Sequence, residues 1–430
     1  MEVREVTDRD QWNRFVEASP IGYITQTYEW GELGAFLGSR MVRLGALEDG
    51  VLRGAMVVLV ARMAPLGWRY LYVPRGPVVD DPDGPAMRAL LDAARGLARR
   101  EGAFMLKIEP NVVDGDARWL AALGRLGFRR NPYATHPRRS WVVDVRPSEA
   151  DLLANMKMTW RYNIKAAERK GVRVREGTTA ADLDTWYGLY QETGARDGFA
   201  IHPRDYYATV LNLYRERGAA VQFLAEYEGA PIAGLIVARC GQVATSMFSA
   251  SSNHHRERRP NHLLQWTGMR WAKAHGCDLY DFRAIAERLE PTEADYSLYT
   301  YKEGFGGYSV LTLDAHDQPY GRARYWVYRQ SLGAKRAAVQ RRVARRALAR
   351  QAAQSGQRPP AVQDGSGSAS AAAGASQQPA GQATHAPKGS KSRGHPSRLA
   401  EDTAPGGAIV PTTPKAAPEP SAGGGTKPAE

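Results

Sequence analysis

The sequence predicts an α/β (α+β) protein made of two related halves with mixed sheets, followed by a tail that has no core. Three observations carry this. All 9 Phe, 10 Trp and 20 Tyr lie before position 331, so only that part can bury enough apolar surface to offset the entropy of ordering it. It is long enough for two ordinary domains, each with its own core. Within it, strand-like and amphipathic helical stretches alternate, and they repeat in register.

The amino terminus, MEVREVTDRDQWNRF, is charged and shows no apolar leader, so no secretory signal is expected. Leu47-Glu48-Asp49-Gly50 then leads to Gly54 and the apolar run AMVVLVAR. Tyr227-Glu228-Gly229-Ala230 leads to Gly234 and LIVAR, at an offset of 180. Each reads as a strand, an acidic hairpin turn and a returning strand. LLDAARGLARREGAFMLKIEP (90–110) matches LLQWTGMRWAKAHGCDLYDF (263–282) with Gly102 opposite Gly276, an offset of 174. Both predict a helix stopped by glycine and followed by a strand. Gly127-Phe128 and Gly304-Phe305, 177 apart, each precede a strand, SWVVDV and SVLTLD.

Charge is local. Residues 331–350 hold seven basic and no acidic residues, so +7 of the net +13 sits in one predicted basic helix. Residues 351–430 are Ala, Gly, Pro, Ser, Gln and Thr without a period, and are expected to be disordered. Cys240 and Cys277 lie in apolar surroundings without ligand spacing, which predicts buried thiols, no metal site and a reducing compartment. The longest apolar runs, such as 55–61, are too short to span a bilayer.

The element order of each half resembles the GNAT acyltransferase fold, used twice. The expected division is 1–147 completed by about 308–330, then 148–307, the basic helix 331–350 and the tail 351–430. In that fold a glycine-rich loop opens the central helix and offers backbone N–H groups to the pyrophosphate of coenzyme A. The corresponding positions read DPDGPAM and RRPNHLL, without those glycines. Acetyl-CoA is therefore not the expected donor.

Six stretches in order, QTYEWGEL, YVPRGPVVD, WRYNIKAAERKGVRV, ARDGFAIHPRDYY, RPNHLLQWTGMRWAKAHGCDLYDF and SLYTYKEGFGG, resemble the Fem family of peptidoglycan interpeptide-bridge aminoacyltransferases. The resemblance spans about residues 8–325. It implies no bound cofactor, aminoacyl-tRNA as co-substrate, and lipid II or its UDP-linked precursor as acceptor. It also implies a cytoplasmic protein. The basic helix 331–350 suits tRNA or anionic lipid at the inner membrane face, and equally a solvated helix leading into a linker.

Lys302 falls on the family's catalytic lysine, where a fixed cation would stabilise the oxyanion of the tetrahedral intermediate. Of the acceptor-binding positions, the family's early lysine falls on Gly34, and its tyrosine and aspartate on Phe104 and Glu109. Its arginine falls on His202 and the following tyrosine on Tyr206, with Arg204 as a nearby source of charge. Core packing is the competing role for Phe104, and capping or a strand edge for Arg204. Lys157, Arg161 and Lys165 are spaced along one face of a predicted helix over 150–171, suited to phosphate or tRNA and equally to solvent. Two other functions fit the same residues: an N-acyltransferase for another amine or a polysaccharide precursor, and an inactive twin-GNAT scaffold.

Overall fold

The computed structural model describes residues 1–332, apart from Leu37, Ala64, Pro65, Thr292 and Ala294. The basic segment beyond 332 and the tail lie outside the described residues.

In chain order the strands are β1 (Glu2–Glu5), β2 (Arg40–Glu48), β3 (Val51–Met63), β4 (Trp68–Val73), β5 (Val78–Val79), β6 (Ala103–Ile108), β7 (Arg129–Asn131) and β8 (Arg139–Asp144). They continue as β9 (Arg173–Glu176), β10 (Ala220–Tyr227), β11 (Ala230–Cys240), β12 (Val243–Ser251), β13 (Leu279–Ala284), β14 (Tyr308–Leu311) and β15 (Ala315–Pro319). The first sheet runs β1-β2-β3-β4-β6-β15-β7, with β5 paired to β3. The second runs β9-β10-β11-β12-β13-β8-β14. Both are mixed, with one parallel pair each, β4 with β6 and β12 with β13.

The duplicated hairpins form as their residues dictate. Asp49 and Gly50 take φ of 52° and 77°, and Glu228 and Gly229 take 51° and 78°. Two successive left-handed residues make the turn whose twist matches that of the strands it joins. The helices Pro85–Glu101 and Pro260–Ala274 also match, with Gly102 and Gly276 left-handed at or just past their ends.

Three expectations change. The strand SWVVDV does not close the first sheet: β8 pairs with β13 and β14 of the second. β15, within the stretch 308–330 expected to complete the first half, does so, lying between β6 and β7. The halves thus exchange one strand, and the chain changes sheets between 131 and 139 and again between 311 and 315, not at 147 and 308.

The cores are not separate either. One apolar cluster includes Trp12, Val57 and Leu90 of the first half with Trp186, Tyr207 and Tyr214 of the second. The Thr27 and Tyr214 hydroxyls meet across this seam at 2.7 Å. A second cluster, around Trp141, Phe223, Met269 and Phe305, belongs to the second half. The ordered core also passes 330: Tyr325, Tyr328 and Leu332 of the helix over 322–332 pack with Phe104 and Met63.

Finally, the helix expected over 150–171 is broken into Glu149–Asn155 and Met158–Arg169. Met156 and Lys157 between them are extended, with ψ of 152° and 140°. Cys240 and Cys277 are buried free thiols, as their apolar surroundings predict.

Candidate active site

The site begins with the parallel pair of the second half. β12 and β13 are in register only over Val243–Thr245 and Leu279–Asp281, and beyond that the two strands part. Arg283, with a left-handed backbone (φ 65°), reaches across the opening and donates from Nη1 to the carbonyl of Met247 on β12.

Asp281 is the last residue of β13 paired with β12 and is fully buried. Its Oδ1 accepts the backbone N–H of Arg283 at 2.7 Å, while Oδ2 has no partner among the described residues. Burial pushes the carboxyl up to about 7, against the pull of Arg283, Lys302 and Arg75. The Tyr23 hydroxyl and Arg283 Nε are likewise buried without a partner among the described residues. Burial and the Asp281 charge both push the Tyr23 hydroxyl up. Open polar atoms on groups that sense one another's charge mark where a bound molecule would complete the hydrogen bonding.

Lys302 is 8 % exposed and joins this group. It sits in the last turn of the helix Tyr296–Glu303 and donates from Nζ to the carbonyl of Ala284 at 2.6 Å. Burial lowers its ammonium to about 7, with Asp281 opposing that shift. A lysine so placed exchanges its proton near neutrality, which a solvated turn lysine does not.

The turn after Lys302 is held on three sides. Trp160 donates from its indole to Tyr301 O at 3.0 Å, Lys157 N–H donates to Gly304 O at 3.0 Å, and Trp141 donates to Gly306 O at 2.7 Å. Gly307, at φ 90°, must lack a side chain, because a Cβ there would stand 2.0 Å from Val142 O.

Glu109 stands at the end of β6, the first-half counterpart of β13. It accepts from Tyr72 Oη at 2.7 Å, from the backbone N–H groups of Thr135 and His136 at 2.5 and 3.1 Å, and pairs with Lys107 at 3.4 Å. Burial alone would raise its carboxyl, but Lys107 and the His136 and Thr135 hydrogen bonds outweigh it and hold the group well below the ordinary range. Glu109 is a permanent anion with its oxygens taken, in contrast to Asp281. Between the halves, the buried Arg75 (φ 52°) donates from Nη1 to Thr312 Oγ1 at 2.5 Å and from Nη2 to Pro137 O.

The remaining sequence-derived positions lie elsewhere. Phe104 is core, edge-on to Trp68 and Tyr328. His202 stacks on Tyr206 with ring centroids 4.1 Å apart, and Tyr206 meets Phe36 of the first half edge-on. Arg204 is on the surface, ion-paired to Asp184 at 2.5 Å. At Gly34 a Cβ would stand 2.7 Å from Ser39 O, so a lysine has no room there without a shift.

The basic stripe is not one free face. Lys157 Nζ pairs with Glu303 at 2.6 Å and Arg161 caps Ala154 O at 2.9 Å, leaving Lys165 exposed. Asp281, Arg283, Arg75 and Tyr23 were missed as site residues. The signal for two of them was present: at the offset of 174, Asp281 and Arg283 fall on Lys107 and Glu109, so each central strand ends in a buried charged pair.

Twin mixed sheets of one strand order, with a buried lysine and carboxyl where the second parallel pair opens, define a tandem GNAT-fold acyltransferase. Residues 154–303 match the acetyltransferase (GNAT) domain family and residues 7–116 match the FemAB family. The chain is similar to the Fem family in its first half and to GNAT acetyltransferases in its second.

It is 24 % identical over 404 residues to the lipid II:glycine glycyltransferase of Staphylococcus aureus (strain MRSA252), covering 77 % of this chain and 96 % of that protein. The enzyme of the same name from Staphylococcus saprophyticus is 25 % identical over 377 residues, covering 72 % and 90 %. Among solved structures, the crystal structure of FemX superposes with a TM-score of 0.70 at 23 % identity, covering 76 % of this chain and 99 % of that one.

Proposed function

We propose that the protein transfers an aminoacyl group from aminoacyl-tRNA to the stem-peptide amine of a peptidoglycan precursor, lipid II or its UDP-linked form, in building the interpeptide bridge. The observation that carries this reading is the buried pair Lys302 and Asp281 at the opening of β12 and β13, in a chain whose relatives are named lipid II:glycine glycyltransferases.

The acceptor amine attacks the ester carbonyl carbon, and the oxyanion that forms is stabilised by the Lys302 ammonium. Asp281, whose carboxyl titrates near 7, takes the proton the amine gives up. Collapse of the intermediate breaks the carbon–oxygen bond to the ribose, which leaves with a proton, and an amide remains. Arg283 and Arg75 hold the local field in which Asp281 titrates. Glu109 keeps Tyr72 and His136 in place and, being saturated, orients rather than reacts.

The donor assignment is supported by the helix starts. Both begin with proline, Pro85 and Pro260, so each lacks one of the N–H groups that would cradle a pyrophosphate. A lipid-linked acceptor places the work at the cytoplasmic membrane face, and among the described residues no helix is long and apolar enough to cross a membrane.

A second reading, N-acylation of another amine, is favoured by Gly34, which has no space for the family's lysine. Incubating the protein with purified lipid II and a pool of charged tRNA, followed by mass spectrometry, tests both. A gain of one residue on lipid II supports the first reading; no gain, with transfer to another amine, supports the second.

A further inference from the structure

Away from the active site, the helix over 322–332 has two unlike faces. Tyr325, Tyr328 and Leu332 are buried against Phe104 and Met63. The opposite side exposes Trp326 at 64 % and its neighbour Val327 at 40 %. An exposed indole with an aliphatic neighbour beside charged grooves makes a candidate contact surface.

Two shallow grooves flank this helix and share Pro319 and Arg322. One is lined by Arg95, Arg99, Arg322 and Arg324, the other by Arg129, Arg322 and Arg329 beside Trp326. Among the described residues no acidic side chain lines either groove. Arg95 pairs with Asp92 at 3.2 Å at the rim, whereas Arg99 and Arg322 make no ion pair among the described residues. The chain continues from this helix into the segment with seven basic residues and no acid.

We propose that the exposed face of the helix over 322–332, with its arginine-lined grooves, is a docking surface for an anionic lipid bilayer. An exposed tryptophan and valine ringed by arginines is the pattern of a helix lying in the headgroup layer: the indole enters the interface, while the arginine stems lie along it and their guanidinium groups reach the phosphates. RNA would satisfy the arginines, but its phosphate backbone gives Val327 nothing to pack on. The surface stands on this geometry alone and does not depend on the transferase reading.

The full chain is tested by co-sedimentation with phosphatidylcholine vesicles with and without phosphatidylglycerol. Binding is expected only when the anionic lipid is present. An arginine near an anionic surface contributes about fivefold to partitioning, so Arg322→Glu combined with Arg324→Glu should weaken binding by about 25-fold or more. Because the basic segment beyond 332 can bind vesicles without this helix, a second measurement is specific to it. Brominated phosphatidylglycerol should quench the tryptophan fluorescence of the wild type, and Trp326→Phe should remove most of that quenching. Wild-type vesicle binding by the double variant, or quenching unchanged in Trp326→Phe, would overturn the proposal. So would binding of unfractionated tRNA, but not vesicles, that the double variant weakens.

Discussion

A Cβ on Gly304 would stand 2.2 Å from Cε2 of the Trp160 indole, so the turn that follows Lys302 lies directly against that ring. The same indole donates to Tyr301 O, one residue before the lysine. Trp160 therefore fixes the height of the helix end from which Lys302 reaches Ala284.

Gly304→Ala should lower turnover while costing about 1–3 kcal/mol in stability, as overpacking does. If the loss comes from displacing Lys302, trimming the ring in Gly304→Ala/Trp160→Leu should recover part of the turnover. Equal turnover in the single and double variants would show that the contact does not position the lysine.

On the proposed mechanism, Lys302→Ala removes an interaction made mainly in the transition state. Turnover should fall about 10²–10³-fold, the usual cost of one oxyanion donor, with little change in acceptor affinity. Lys302→Arg should not fully restore it, because a planar fork does not fit where a point charge meets Ala284 O. Near-wild-type turnover in the folded Ala variant would remove Lys302 from the mechanism.

Asp281 gives a pH-dependent stability whose sign follows from its burial. The unfolded chain releases this proton near the ordinary 3.8, the folded protein only near 7. Between these values the folded state holds more protons, so this group's contribution declines as pH rises through the window. Asp281→Asn should match the wild type near the low end and exceed it above 7, by up to about 4 kcal/mol at roughly 1.4 kcal/mol per pKa unit. Melting curves across that range test it; a difference independent of pH would count against a buried, titrating Asp281.

Acetyl-CoA should show no saturable binding in calorimetry. The helix starts at Pro85 and Pro260 lack an N–H at their first positions, and Arg259 before the second is left-handed at φ 61°. Tight binding with transfer to an amine would replace the tRNA-dependent reading with a coenzyme A-dependent one.

The sequence by itself determined what is local: two hairpins with paired left-handed turn residues, two helices stopped by glycine, buried thiols, and a lysine just before a glycine-rich turn. Each depends on a residue's own backbone preference or on neighbours a few positions away, which composition and spacing carry. Only the tertiary structure decided the rest. SWVVDV reads as a strand from its own residues, yet its partners β13 and β14 lie more than a hundred residues on, a choice among long-range pairings that no local pattern encodes. The contrast between Glu109 and Asp281 is of the same kind. Both are single acidic residues near the end of a central strand, and their opposite titration follows from what folding places around them: Lys107, His136 and backbone N–H groups around one carboxylate, and an unpartnered oxygen on the other. Desolvation is a property of the assembled interior, so it becomes visible only once the two halves have closed over Tyr23, Arg75, Arg283 and Lys302.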